Sequence, residues 1–177
     1  MNPTKERRAI DNALDKYHEL VDTYPDEQFA KTPPIGGWSY SEVYDHILKS
    51  TLAASIALER CTHNNCPPTK QGPNFWGRYL LITGLFPPFK VQVPQEVAAK
   101  IAPTKIDKEE AKNLLVKTRR RIDGVSMLIS DAPKNARWQH PRLGMLNAAQ
   151  WFKFIRVHLQ HHLKQLDRIQ NSFAKNG

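Results

Sequence analysis

Apolar residues recur at the three- and four-residue spacing of a helix face in four stretches of the sequence, and this pattern constrains the fold most. The stretches cover about residues 3–24, 39–61, 107–130 and 147–173. Pro25 ends the first stretch, and the second begins with Ser39 and Glu42, which have the separation of a capping box. Since no convincing alternating strand accompanies these stretches, the sequence predicts an all-α four-helix bundle.

Two long connections interrupt the helical pattern. Residues 62–106 form a crossover between helices 2 and 3 that holds seven prolines, and its stretch NFWGRYLLITGLF predicts a short helix that caps one end of the bundle. Residues 131–146 bring Trp138 and His140 close to the last helix, with His140 expected as an exposed loop residue. The length of 177 residues predicts a single domain over residues 1–177.

The charge balance favours anionic partners or substrates, because 26 Lys and Arg stand against 17 Asp and Glu. The densest basic run, KTRRR at residues 117–121, spreads around a helix circumference and predicts a solvated face. Nucleic-acid binding is disfavoured, since no known binding module accompanies the charge. The polar start MNPTKERRAI and the lack of a run of about 18 apolar residues predict a cytoplasmic protein without a membrane segment.

Two cysteines, Cys61 and Cys66, occur in the stretch CTHNNC with His63 between them. A closed zinc site needs four ligands, and the sequence has no second cysteine pair to complete one. We therefore interpret them as two reduced thiols at the end of a helix.

Histidines in the stretch VHLQHHLKQL carry the main functional prediction. His158 and His162 are four residues apart, so they lie on one helix face, about 6 Å apart along the axis. That face continues the apolar stripe of Ile155 and Leu166, and His46 lies on the inward stripe of the second helix. Three neutral imidazoles from two helices predict a divalent metal site that keeps a coordination position open for water or substrate.

Several neighbours are candidates for supporting or substrate-contacting roles. Gln165 follows His162 by three residues, so it is either a hydrogen-bond partner of that ring or simply a satisfied polar residue. His161 lies on the flank of the helix, where a supporting role or solvent exposure is favoured over ligation. Asp45 is adjacent to His46 and so points elsewhere, to solvent or to a supporting hydrogen bond. No catalytic residue is assigned. Trp38 and Trp151 are expected to pack at helix ends.

The stretches GGWSYSEVYDHI and QWFKFIRVHLQHHLKQL resemble the DinB/YfiT-like superfamily of four-helix-bundle proteins, and in particular a branch with a W…HxxHHxxQ last helix. The resemblance spans nearly the whole chain. It implies a divalent metal, zinc or nickel, on His46, His158 and His162. Relatives use such a site to activate a low-molecular-weight thiol such as bacillithiol, mycothiol or glutathione for S-transfer or isomerisation, and others were proposed to be hydrolases.

Three functional hypotheses follow from the sequence. The first is a metal-dependent transferase or hydrolase that activates a thiol or water and acts on a small, anionic substrate. The second is a non-catalytic metal- or ligand-binding bundle that assembles as a homodimer. The third is a basic protein associated with nucleic acid, which the charge suggests together with the resembled family's link to DNA-damage induction, and which is ranked last.

Overall fold

Four long helices dominate the computed structural model, which describes residues 2–67, 69–87 and 102–175. In chain order the elements are α1 (Pro3–Thr23), α2 (Asp26–Phe29), α3 (Tyr40–Thr62), α4 (Phe75–Thr83), α5 (Lys108–Ser126), β1 (Arg137–His140), β2 (Gly144–Asn147) and α6 (Ala148–Ala174). The predicted four-helix bundle is confirmed, and α4 is the short helix expected within the crossover. Crossover residues 88–101 lie outside the described residues.

Capping residues fix where the helices begin. Ser39 Oγ accepts the Glu42 N–H, and the Glu42 carboxylate in turn accepts the Ser39 N–H at 2.8 Å, so the predicted capping box is present. Asn147 and Gln150 make the same reciprocal pair at the start of α6. The two helices that carry the histidine cluster therefore both start at a capping box.

The helix α5 ends at Ser126, four residues before the predicted end at residue 130. The N–H groups of Leu128 and Ile129 bond to carbonyls three residues back, so the chain tightens into turns there. Ile129 is buried, so the apolar stripe of α5 continues past the end of the helix into this turn. The length of the stripe is therefore greater than the length of the helix.

Both α1 and α3 pack against α5 and against α6. The helices α1 and α3 therefore lie at diagonally opposite corners of the bundle. Buried tyrosines connect the helices through the core. Tyr17 Oη donates to the Leu159 carbonyl at 2.9 Å, and Tyr44 Oη donates to the Tyr17 carbonyl at 2.7 Å. Burial raises the pKa values of both phenols, so they stay protonated and serve the core as donors.

A short hairpin of β1 and β2 precedes α6, whereas the sequence pattern indicated no strand. Each strand has four residues, which is too short for an alternating pattern to emerge. Gly144, the first residue of β2, directly follows the three-residue turn with φ +81°, and a Cβ there would come within 2.7 Å of the Asn74 backbone nitrogen. The crossover packs at this point, where the Asn74 N–H donates to the Leu143 carbonyl.

The basic run at 117–121 contributes to contacts within the bundle. Arg121 pairs with Glu59 through two hydrogen bonds of 3.0 and 2.7 Å, and Arg119 pairs with Asp15. Part of the positive charge of this run is therefore balanced by neighbouring helices. Among the described residues, no helix has both the length and the apolar character needed to cross a membrane.

Candidate metal centre

Three histidines converge between α3 and α6. One ring nitrogen from each of His46, His158 and His162 lies within 4.8 Å of the others. The Nε2 atoms of His158 and His162 are 3.1 Å apart, because a spacing of four residues places the two rings on one face of α6, where they meet edge to face. Over residues 2–67, 69–87 and 102–175, this is the one group of three or more potential ligands close enough to share an ion.

Burial keeps the three rings neutral. His158 and His162 are 9% and 6% exposed, and His46 is half-buried, so the cluster reaches solvent mainly at His46. Burial, with a smaller contribution from the neighbouring histidines, lowers the pKa of His162 to about 3 and that of His158 well below its usual value. The pKa of His46 is lowered by burial as well, against the opposing effect of Asp45. Neutral imidazoles are the form that binds metals.

The Nδ1 atoms of His162 and His158 differ in their hydrogen bonding. His162 Nδ1 donates to Gln165 Oε1 at 2.8 Å, which leaves the His162 Nε2 lone pair directed into the cluster. His158 Nδ1 is buried and has no hydrogen-bond partner among the residues that the structure describes. When His158 Nε2 serves as a ligand, its proton must reside on this Nδ1 atom.

Aromatic rings surround the cluster. Trp38 lies 4.9 Å from the His46 ring and is stacked 6.2 Å from the His162 ring, measured between ring centroids. Phe154 stacks on His158 at 5.1 Å, and Phe86, from the segment after α4, lies 5.6 Å from the same ring. The histidines are therefore enclosed by apolar surfaces that limit the access of water.

Two other predicted residues lie beside the cluster. His161 is exposed and outside the three-histidine group, with its ring 4.8 Å from Phe86 and 5.2 Å from His162. Asp45 is 2% exposed, accepts the Thr104 N–H at 2.8 Å and forms an ion pair with Lys49. Asp45 therefore ties the end of the crossover to α3 next to His46.

A family model of the DinB superfamily matches residues 9–166. The chain belongs to the DinB superfamily. This DinB chain is also similar to the crystal structure of TT2238, a four-helix bundle protein, with a TM-score of 0.59 and 16% identity over 94% of this chain and 99% of that one. At this identity the similarity concerns the fold alone. No curated protein matches the chain.

The histidine cluster of this DinB-superfamily chain fits a divalent ion. Imidazole nitrogens about 2.1 Å from a tetrahedral ion are about 3.4 Å apart. The 3.1 Å separation of the His158 and His162 nitrogens is close to this value, and the remaining separations, up to 4.8 Å, require a small rotation of the rings. Family membership and the cluster together suggest a divalent metal site.

Sequence reasoning missed three residues around the site of this DinB-superfamily protein. Trp38, expected to pack at a helix end, contacts two of the histidines, and Phe86 reaches the site from the crossover without any local signal. His140 is half-buried against Trp151 and Phe154, although an exposed loop position was expected. Its Nδ1 atom accepts the N–H groups of Arg142 and Leu143, the two residues after Pro141. The proline after His140 is the feature of the sequence that indicates a turn here.

Proposed function

We propose that the protein is a metal-dependent enzyme that holds zinc or nickel on His46, His158 and His162 and activates a thiol or a water for S-transfer or hydrolysis of a small substrate. The observation that carries the proposal is the convergence of three imidazoles from two helices, with His158 and His162 buried and His46 half-buried, and with the pKa of each ring lowered by burial. A histidine-only set of three ligands leaves a coordination position open, as catalytic sites require and closed structural sites do not.

The chain's own residues would hold the ion and exclude water from it. His158 and His162 are fixed on one rigid helix, and Gln165 holds the His162 ring in the tautomer whose Nε2 atom can bind a metal. An ion held there lowers the pKa of a bound thiol or water, which supplies a nucleophile at neutral pH. Trp38 and Phe86 flank the histidines and would guide the apolar part of a substrate to the half-buried side at His46.

The aromatic surroundings favour a thiol over water as the activated group. Zinc and nickel bind soft thiolate ligands well, and a thiolate loses less hydration than hydroxide on entering an apolar site. The net charge of +9 would attract a thiol cofactor that carries carboxylates. A low-molecular-weight thiol is therefore the cofactor to be tested first.

Metal content tests the proposal directly. Protein purified without an affinity tag is expected to contain close to one equivalent of zinc or nickel by elemental analysis, and His158→Ala is expected to lose nearly all of it. His18→Ala is the matched control, because His18 is exposed on α1 and outside the cluster. A metal-free wild type that also fails to bind added zinc and nickel would rule out the proposal.

Gln165→Ala is expected to weaken zinc binding by about 10- to 100-fold, because the His162 ring loses the acceptor that orients it. Competition with a chromophoric chelator measures the affinity. Gln170→Ala, which removes an exposed glutamine from the same helix, serves as the control. Equal affinities in the two variants would show that Gln165 has no supporting role.

Enzymatic function is tested separately on the metal-loaded protein. Conjugation of an electrophile to bacillithiol, mycothiol or glutathione, and ester or amide hydrolysis, are compared between wild type and His158→Ala. Activity that disappears with the metal supports catalysis. A stoichiometric metal without any activity in these screens would favour the non-catalytic metal-binding hypothesis.

A further inference from the structure

The chain reverses direction directly after α3, and this turn brings the two cysteines together. Asn64 adopts φ +52°, its N–H bonds to the Cys61 carbonyl, and the Asn65 N–H bonds to the Arg60 carbonyl at 2.8 Å. This is the hydrogen-bond pattern of a Schellman motif, with asparagine in the left-handed position. The residue that follows the motif, Cys66, packs back against the last turn of the helix.

The two sulfur atoms differ in environment. Cys61 is fully buried, and its S–H group points to the Leu146 carbonyl, with a sulfur-to-oxygen distance of 3.6 Å. Cys66 is partly exposed and lines a surface pocket of about 560 Å³ together with Asn64 and Lys70. Their Sγ atoms are 3.6 Å apart, and neither is in a disulfide. A solute can therefore reach one thiol while the other lies directly behind it.

The separation is suited to reversible oxidation. A disulfide has an S–S bond of about 2.05 Å, so the sulfurs must approach each other by about 1.5 Å, which side-chain rotation in an exposed turn can supply. Burial and, to a smaller extent, the contact with Cys66 together raise the pKa of the Cys61 thiol to about 12. Cys61 is thus a protonated thiol that solvent does not reach, whereas the partly exposed Cys66 is the thiol with which an external oxidant can react.

We propose that Cys61 and Cys66 form a reversible intramolecular disulfide when the protein meets a peroxide. In the first step the Cys66 sulfur attacks a peroxide oxygen: an S–O bond forms, the O–O bond breaks, and the thiol proton leaves with the departing oxygen as water or an alcohol. In the second step the Cys61 sulfur attacks the Cys66 sulfenic acid. The S–S bond forms, the S–O bond breaks, and the hydroxyl leaves with the Cys61 proton as water.

Each sulfur is oxidised by one electron equivalent, and the peroxide is reduced by two. The product closes a small loop from the last turn of α3 to the crossover, next to the β1–β2 hairpin. A dithiol such as dithiothreitol reverses the reaction by exchange. The site is independent of the histidine cluster, so its test does not depend on the proposed enzymatic function.

The test is a mass measurement on the full chain. Reduced protein treated with hydrogen peroxide is expected to lose about two mass units, corresponding to two hydrogens, and to regain them with dithiothreitol. When samples are unfolded before labelling, so that the buried Cys61 is also reached, both thiols are expected to become unreactive towards a thiol reagent at the same rate. Peptide mapping of the oxidised wild type is expected to show a peptide with residues 61 and 66 linked, which needs no variant to fold.

Two variants assign the roles of the two thiols. In Cys61→Ser, Cys66 has no partner and is expected to gain one oxygen and then a second, instead of losing mass. In Cys66→Ser, the buried Cys61 is expected to stay unmodified at the same peroxide dose. The proposal is overturned when wild-type protein gains oxygen without an internal link, or when non-reducing electrophoresis shows only disulfide-linked dimers.

Discussion

Zinc at about a thousandfold excess over its dissociation constant is expected to raise the free energy of unfolding by about 4 kcal/mol. The physical reason is linkage: the folded chain brings His46, His158 and His162 together, whereas in the unfolded chain His46 is separated from the other two by more than a hundred positions. His46→Ala removes the one proposed ligand from α3, and the remaining pair is expected to bind zinc at least about 100-fold more weakly. About 2.7 kcal/mol of the stabilisation should then be lost.

Urea unfolding with and without zinc, at a fixed free metal concentration, measures this effect. His18→Ala again serves as the control, since it removes a histidine from the unfolded chain without touching the cluster. Its zinc-dependent stabilisation is expected to equal that of wild type. Equal stabilisation of His46→Ala and wild type would mean that zinc binds elsewhere and that His46 is not a ligand.

The positions of the three histidines could be predicted because each depends on helix periodicity. A spacing of four places His158 and His162 on one face, and the apolar stripes of two amphipathic helices direct His46 towards them. The start of α3 could be predicted because it also depends on local sequence. The capping box of Ser39 and Glu42 lies within four consecutive residues. Local rules were therefore sufficient for the bundle and for the cluster.

The surroundings of the cluster depend on contacts between distant parts of the chain, which periodicity does not encode. Phe86 is separated from His158 by more than seventy positions in the sequence, yet their rings are 5.6 Å apart. Asp45 pairs with the backbone of Thr104 across the crossover, and sequence reasoning left open whether it would point to solvent. Phe86 and Thr104, which contact the site or its neighbour Asp45, are thus brought in by the crossover rather than by helix periodicity.

The hairpin also explains why His140 is half-buried and not the exposed loop residue that the sequence predicts. Its Nδ1 atom accepts the N–H groups of Arg142 at 3.1 Å and Leu143 at 3.2 Å, so the ring closes the turn instead of extending into solvent. The proton of the neutral ring must therefore reside on Nε2. The ring packs 4.6 Å from Phe154, which itself stacks on His158. His140 thereby connects the hairpin to the aromatic wall of the cluster.

Acidification is expected to destabilise the fold through His140. Burial and, to a smaller extent, the positive charge of Arg142 together lower the pKa of His140 to about 4, whereas histidine in an unfolded chain titrates near 6.5. Between about pH 6.5 and 4 the unfolded chain therefore binds the extra proton, and stability falls as the pH falls. The contribution of neutral His140 to the free energy of unfolding is fully present above pH 6.5, and about 3 kcal/mol of it is lost when the pH falls to 4.

His140→Asn isolates this contribution, because an asparagine oxygen can accept the same two N–H groups in an Asx turn but does not titrate. The free energy of unfolding is measured in urea from pH 7 to 4, with a chelator present. The buried histidines of the cluster titrate in both proteins, so most of their effect cancels in the difference, apart from the small part by which His140 lowers the pKa of His158. Wild type is expected to lose about 3 kcal/mol more than the variant. Parallel curves would show that His140 is protonated as easily in the folded as in the unfolded chain, and that the hairpin does not hold it neutral.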